Sequence, residues 1–84
     1  MNSKQRKTLE QIFATPTPRA VEWERIESLL RAVGCETIEG SGSRVRFTHG
    51  AHVACFHRPH PDKEARAYQV RDARDFLKLI GVTP

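Results

Sequence analysis

Residues 40–60 constrain the fold more than any other stretch, because they have the pattern of a β-hairpin bounded by turn residues. Val45 and Phe47 alternate with polar residues, which is the period of a strand that buries one face. Gly50 marks the turn, since glycine takes a positive φ at no steric cost, and residues 52–57 return as a second strand. The prolines that follow cannot donate a ladder hydrogen bond, so the strand ends there.

The polar side of this hairpin combines arginines with histidines. Arg44 and Arg46 occupy alternate positions of the first strand, and His57 and His60 stand at the end of the second. Imidazole, with an unperturbed pKa of about 6.5, both accepts and donates protons near neutral pH. Metal-free RNA cleavage needs such groups beside a fixed positive charge that stabilises the phosphorane. The stretch therefore permits this chemistry, and we expect no metal and no cofactor.

The size and charge of the chain limit the remaining choices. Its 84 residues allow one small domain with one core. The net charge of +4, from 14 Lys and Arg against 10 Asp and Glu, modestly favours an anionic partner such as nucleic acid. No apolar run approaches the roughly 20 residues of a membrane span, and the first residues form no hydrophobic signal core. We expect a cytoplasmic protein with no membrane partner.

The two cysteines, Cys35 and Cys55, each fall within a predicted strand. Free cysteine behaves as a small hydrophobic residue, and the pattern favours two buried thiols over a disulfide or a metal site. We therefore expect both cysteines to lie in the core.

Two helices precede the hairpin. Residues 4–14 predict a short helix that docks through Leu9, Ile12 and Phe13, followed by a proline-containing break. We treat residues 1–17 as an N-terminal extension of a core formed by residues 18–84. Residues 21–33 predict a core helix that ends at Gly34. Its apolar stripe contains Trp23, Ile26, Leu30 and Val33, and its polar side Glu22, Glu24, Glu27 and Arg31.

A short strand over residues 35–39 and a final helix over residues 69–80 complete the pattern. Arg71, Arg74 and Lys78 form a basic ridge on that helix, which is either a solvated face balanced by aspartates or a phosphate contact. The order α-α-β-β-β-α predicts an α+β fold of the dsRBD type, with helices packed on one face of a three-stranded antiparallel sheet.

Four features, in order and spacing, resemble those of a known family. They are the helix ending in Leu29, Leu30 and Gly34; Gly42 and Ser43 before a strand containing Phe47; the histidine and proline cluster ending at His60; and the series Lys63, Glu64, Val70, Arg71, Leu77 and Gly81. Over residues 23–82 the sequence resembles the HicA toxins of bacterial toxin-antitoxin pairs. The resemblance implies a dsRBD-like, RNA-cleaving protein held inactive by a HicB-type antitoxin that covers its basic face.

The sequence departs from the family at one position of consequence. In the family, the glycine and serine that open the second strand are followed by a histidine regarded as catalytic, and here that residue is Arg44. Arginine cannot act as a general base, because its pKa above 12 keeps it protonated. In addition, Tyr68 and Gln69 replace a glycine and a threonine at the start of the last helix, which weakens the expected N-cap.

Two functional hypotheses follow. In the first, the chain is a metal-independent ribonuclease acting on mRNA, in which His60 or His57 moves protons and Arg44 stabilises the phosphorane. The residues expected to bind RNA are Arg46, Arg58, Lys63, Arg71 and Arg74. Its partners would be RNA and a HicB-type antitoxin, through which the toxin could also form a homo-oligomer.

In the second hypothesis the fold is kept and catalysis is lost, which leaves a module that binds RNA or the antitoxin. Arginine suits this function, because its guanidinium donates two parallel hydrogen bonds to a phosphate but does not catalyse its cleavage. A metal site formed by His49, His52, His57 and His60 is a third reading, disfavoured by their loose spacing. We expect His49 and His52 to be turn and edge residues.

Overall fold

Three helices and three strands follow one another in the order α-α-β-β-β-α, as the sequence predicts. The computed structural model describes all residues from 1 to 84. The elements are α1 (Ser3–Ile12), α2 (Trp23–Ala32), β1 (Glu36–Glu39), β2 (Arg44–His49), β3 (His52–His57) and α3 (Ala67–Leu79). None of the three helices has the length and apolar character needed to cross a membrane.

The strands form one antiparallel sheet in the order β1-β2-β3. Gly50 turns the β2–β3 hairpin with a φ of 60°, as predicted. Val45, Phe47 and Phe56 face the helices and are buried in one core with side chains of α1, α2 and α3. The other side of the sheet, called here the open face, carries the exposed residues Glu36, Ile38, Arg44, Arg46, Val53, Cys55 and His57.

The aromatic side chains lie at the centre of this core. Trp23, at the start of α2, packs against Phe56 with ring centroids 5.1 Å apart, and Phe56 meets Phe47 at 6.1 Å. Such tilted arrangements favour contact between the edge of one ring and the face of the next. Trp23 is 4% exposed, which confirms its place in the apolar stripe of α2.

The first helix is built into the same core. Leu9 and Ile12 are buried in it, and Asn2 caps the helix by accepting a hydrogen bond of 2.8 Å from the backbone N–H of Gln5. Docking through the apolar stripe is therefore confirmed. The buried residues of α1 join those of α2 and α3 in one cluster, so α1 packs directly on the rest of the fold.

The prediction that both cysteines are buried is half wrong. Cys35 precedes β1 and is buried, which raises the pKa of its thiol. Cys55 lies on the open face and is exposed, because pairing of β2 with β3 turns its neighbours Ala54 and Phe56 toward the helices. Side chains alternate across a strand, so the inward position of Phe56 places Cys55 outward.

Candidate functional site

Arg44 and His57 stand directly opposite each other on β2 and β3. The next residues along, Ser43 and Arg58, share a backbone hydrogen bond of 2.9 Å from the Arg58 N–H to the Ser43 carbonyl. Because the pairs alternate in an antiparallel ladder, Arg44 and His57 form a non-hydrogen-bonded pair, in which side chains approach most closely. Both are exposed, so the Arg44 and His57 side chains leave the sheet from neighbouring positions on the open face.

A groove of about 510 Å³ runs beside this pair. Its lining residues are Gly40, Ser41, Arg44, Val45, Arg46, Cys55, Phe56 and His57. Arg44 and Arg46 form no ion pair with any carboxylate of the chain, so both guanidiniums keep their donors for a ligand. An unneutralised pair of arginines beside an imidazole suits the binding of a phosphate group.

The backbone that carries His57 is held from several sides. Its carbonyl accepts a hydrogen bond of 2.7 Å from Nε2 of Gln69, which is 2% exposed at the start of α3. The side-chain Oε1 of Gln69 accepts a hydrogen bond of 3.0 Å from the backbone N–H of Arg66, the N-cap residue. The Arg66 side chain itself caps nothing, so Gln69 fixes both the helix start and the end of β3.

Arg58, which follows His57, is clamped between two carboxylates. Its Nε and Nη2 donate to Glu27 of α2 at 2.7 and 3.2 Å, and its Nη1 and Nη2 donate to Glu39 of β1 at 2.6 and 2.9 Å. The hydrogen bonds to Glu39 and Glu27 raise the pKa of Arg58 further above its ordinary value. The same bond from Arg58 is the main reason that the pKa of Glu39 lies below its usual value.

Glu27 is the buried end of this clamp, and its prediction as a polar-face residue is wrong. It is 7% exposed, and it also accepts hydrogen bonds from Trp23 Nε1 and from Arg31 Nη1, the latter at 3.3 Å. Burial alone would raise the pKa of Glu27, but the hydrogen bonds from Arg58 and Trp23 outweigh burial and lower it. Glu27 is therefore an ionised carboxylate inside the protein.

Comparison with known families decides which kind of protein carries this groove. Residues 23–82, which run from α2 to beyond α3, match the family described as the HicA toxin of bacterial toxin-antitoxin systems. The chain belongs to the HicA toxin family. Comparison with curated proteins gave no match, and comparison with solved structures gave none either. The HicA match includes the sheet and the groove and leaves α1 outside.

In this HicA-family chain, His60 and Lys63 lie in the loop between β3 and α3. Both side chains are exposed, and neither lines the groove beside Arg44 and His57. The backbone carbonyl of Lys63 accepts a hydrogen bond of 2.9 Å from the Trp23 N–H, so the loop is attached to α2. The structure thus brings Arg44, Arg46 and His57 together and places His60 and Lys63 at a separate position.

Two of the predicted RNA-binding residues form hydrogen bonds within the protein. Four hydrogen bonds to carboxylates engage Arg58, as described above. Arg74 donates to the carbonyl oxygens of Ile12 at 2.7 Å and Ala14 at 3.3 Å, and so holds the end of α1. Arg71 is exposed and makes no ion pair. We therefore leave Arg58 and Arg74 out of the RNA-binding set proposed below and keep Arg71.

The four histidines do not converge. His49 and His52 pair at the turn of the hairpin, whereas His57 lies at the far end of the six-residue strand β3, about 16 Å away at the usual rise per residue. No group of three or more His, Cys, Asp or Glu side chains is placed to hold a metal ion. His49 is the last residue of β2 and His52 the first residue of β3, so the two flank the turn at Gly50.

Sequence reasoning missed Glu27, Glu39 and Gln69 as the residues that position the His57–Arg58 segment. A signal existed for Glu27, because residue i+4 after Trp23 lies beside it on the helix, within the apolar stripe. No local pattern marked Glu39 or Gln69. Their contacts join β1 and α3 to the end of β3 across 19 and 12 residues of sequence.

Proposed function

We propose that this HicA-family chain is a metal-independent ribonuclease toxin acting on mRNA, with His57 as its proton-transfer group. The observation that carries the proposal is the cross-strand pair of Arg44 and His57. The resemblance expects an imidazole at the position of Arg44, and the neighbouring strand supplies one directly opposite. The imidazole would then come from β3 in place of β2, and it would lie in the same groove.

In the proposed reaction the ribose 2′-oxygen attacks the adjacent phosphorus while neutral His57 accepts the 2′-hydroxyl proton. The bond from phosphorus to the 5′-oxygen breaks, which leaves a 2′,3′-cyclic phosphate and a 5′-hydroxyl. Arg44 is permanently charged, so it stabilises the negative charge that develops on the phosphorane. The leaving 5′-oxygen takes a proton from water in the open groove, since His60 lies in the following loop and does not line the groove. The His57 imidazolium then returns its proton to solvent.

Binding of the RNA strand is proposed to depend on Arg46, Lys63 and Arg71. All three are exposed and form no ion pair within the chain. Arg46 lies on the open face, two residues from Arg44 on the same strand. Arg71 lies on α3, the helix that follows β3 along the chain. Such cations fix the register of the phosphate backbone without reading the bases. A HicB-type antitoxin is the proposed partner that neutralises the toxin by covering the open face.

The test is cleavage of an end-labelled RNA by purified protein in the presence of a chelator. The parent is compared with His57→Ala, His60→Ala and Arg44→Ala, and with His52→Ala as a matched histidine at the far end of the same strand. We expect a 2′,3′-cyclic phosphate product, loss of turnover in His57→Ala and Arg44→Ala, and unchanged turnover in His52→Ala. Full activity of His57→Ala would contradict the assignment.

A second function is favoured by the free guanidiniums of Arg44 and Arg46 in the groove. In that case the chain binds RNA or its antitoxin without cleaving RNA, since a guanidinium grips phosphate but accepts no proton. The outcome that would establish it is the absence of turnover in the parent, together with salt-sensitive RNA binding that Arg44→Ala weakens.

A further inference from the structure

The outer side of β3 is a free sheet edge. The sheet ends at β3, and the register that pairs Arg44 with His57 also leaves Val53 and Cys55 in non-hydrogen-bonded positions toward β2. The backbone N–H and C=O groups of Val53 and Cys55 therefore point away from β2, toward solvent. Farther along β3 the backbone carbonyl of His57 also points away from β2, but it accepts a hydrogen bond from the Gln69 side chain. An unpaired edge of this kind is a template for another strand.

The two edges of the sheet differ in their protection. β1 carries Glu36 and Glu39, and charged side chains are a common means of preventing strands from pairing at an edge. The four central residues of β3, from Val53 to Phe56, carry no charge. Val53 is 53% exposed. The edge of β3 therefore lacks the protection that β1 has.

An apolar groove of about 420 Å³ adjoins this edge, between β3 and α3. It is lined by Val53, Ala54, Cys55, Phe56, Asp72, Asp75, Phe76 and Leu79. Leu79 is 59% exposed, so apolar surface on α3 continues that of β3. Asp72 and Asp75 are exposed and form no ion pair, which gives the groove an acidic rim.

The acidic rim indicates which kind of molecule fits. RNA is disfavoured, because the carboxylates of Asp72 and Asp75 repel phosphates. A second copy of the chain pairing through its own β3 would bring residues 53–56, which contain no lysine or arginine to meet the aspartates. A protein segment in extended conformation satisfies the backbone edge, and alternate side chains on it can be apolar against Leu79 and basic against the aspartates.

We propose that the antitoxin binds this chain by adding a strand to the free edge of β3, with apolar and basic side chains placed in the groove toward α3. The inference deepens the proposed function, since it names the surface at which the antitoxin of that system docks. Such a strand would extend the sheet beside His57 and Arg44, so the added chain would also restrict access to the open face.

The test removes one edge N–H without altering the β2–β3 ladder. Val53→Pro does so, because proline is tolerated in an edge strand where its nitrogen faces away from the neighbouring strand. Val53→Ala is the matched control that keeps the N–H. With the purified antitoxin of the same toxin-antitoxin pair, calorimetry should show affinity weakened about tenfold or more by Val53→Pro, from the lost hydrogen bond and the clash of the ring. Val53→Ala should bind within about threefold of the parent.

The charge of the groove is tested separately. Asp72→Asn combined with Asp75→Asn should weaken antitoxin binding and reduce its dependence on salt concentration. Asp62→Asn is the matched control, because Asp62 is exposed but lies in the loop before α3 and does not line the groove. Equal antitoxin binding by the parent and the double variant would show that Asp72 and Asp75 do not contribute to the interface. The argument that the bound segment carries basic residues would then fail.

Hydrogen exchange of the parent gives a reading that does not depend on the folding of Val53→Pro. Antitoxin should slow exchange of the Val53 and Cys55 amides, whereas the outer amides of β1, at Thr37 and Glu39, should exchange as before. Unchanged exchange at Val53 and Cys55, or protection confined to β1, would overturn the proposal. So would antitoxin-free dimerisation of the parent that Val53→Pro abolishes, or loss of RNA binding in Val53→Pro. These measurements use no RNA cleavage, so failure of the proposed nuclease leaves their outcome readable.

Discussion

The side-chain amide of Gln69 donates a hydrogen bond of 2.7 Å to the backbone carbonyl of His57 and so joins the start of α3 to the end of β3. Gln69 is almost fully buried, and its Oε1 is bonded to the backbone N–H of Arg66. A buried polar side chain that uses both ends in this way is costly to replace, because its partners lose their bonds inside the protein.

Gln69→Ala is predicted to lower the free energy of unfolding by about 1–3 kcal/mol, the usual cost of leaving a buried hydrogen-bond partner unsatisfied. Denaturant-induced unfolding followed by circular dichroism measures the change. Gln11→Ala is the matched control, because Gln11 lies on α1 and its side chain makes no hydrogen bond, and we expect a change within about 0.5 kcal/mol. Equal stability of Gln69→Ala and the parent would show that the bond does not hold the strand end.

Glu27→Gln tests the clamp on Arg58. The substitution keeps the shape of the side chain but leaves the Arg58 guanidinium with one carboxylate partner, Glu39. Removing one member of a buried ion pair costs several kcal/mol, and the partial exposure of Arg58 reduces the expected loss here to about 1–3 kcal/mol. Fluorescence of Trp23, whose Nε1 donates to Glu27, reports the same change. Glu24→Gln, an exposed glutamate of the same helix, should unfold like the parent.

The lowered pKa values of Glu27 and Glu39 predict how stability depends on pH. Each carboxylate has a folded-state pKa below its ordinary value of 4.5, so the unfolded chain takes up a proton first as the pH falls. The stabilisation is complete well above pH 4.5 and is lost as the pH falls from there through the folded-state pKa values.

The difference in unfolding free energy between the parent and Glu27→Gln should therefore be largest near neutral pH and shrink below about pH 4.5. Urea unfolding at a series of pH values between about 7 and 3 measures it. A difference that stays constant across this range would contradict the lowered pKa of Glu27.

The hairpin could be predicted from sequence because its determinants are local. Alternation of Val45 and Phe47 and the positive φ of Gly50 depend on neighbouring residues alone, and β3 has the bounds that the proline cluster indicated. Cys55 was misplaced because apolar residues occupy both faces of β3, so composition did not distinguish them. Only the position of Phe56 in the core decides the direction.

The clamp could not be predicted in the same way. Arg58 meets Glu27 across 31 residues of sequence and Glu39 across 19, so its partners depend on how α2 packs on the sheet. For the same reason, the partners of the basic residues on α3 could not be predicted from sequence. Arg71 and Arg74 are one turn apart on that helix, but only Arg74 lies against the end of α1. Identical side chains thus take different roles that local pattern does not reveal.

Arg71 and Arg74 are predicted to respond in opposite ways to replacement. Arg74→Ala should lower stability by about 1–2 kcal/mol, because the carbonyl oxygens of Ile12 and Ala14 lose their donor, and should leave RNA affinity unchanged. Arg71→Ala should weaken RNA binding and reduce its salt dependence by about one phosphate contact, with little change in stability. Thermal unfolding and a salt titration of RNA binding measure the two effects. Equal loss of RNA affinity in both variants would show that Arg74 also reaches RNA.

Arg44→His separates the two proposed functions, because it installs the residue that the resemblance expects opposite His57. If Arg44 supplies the fixed positive charge, an imidazole replaces it poorly, and the single-turnover cleavage rate should fall by about a hundredfold. The rate should fall by less in Arg44→Lys, which keeps the positive charge but loses the bidentate geometry of the guanidinium. Cleavage by Arg44→His with no cleavage by the parent would contradict the first function: it would show that the chain lacks a base at this position and binds RNA or antitoxin without cutting.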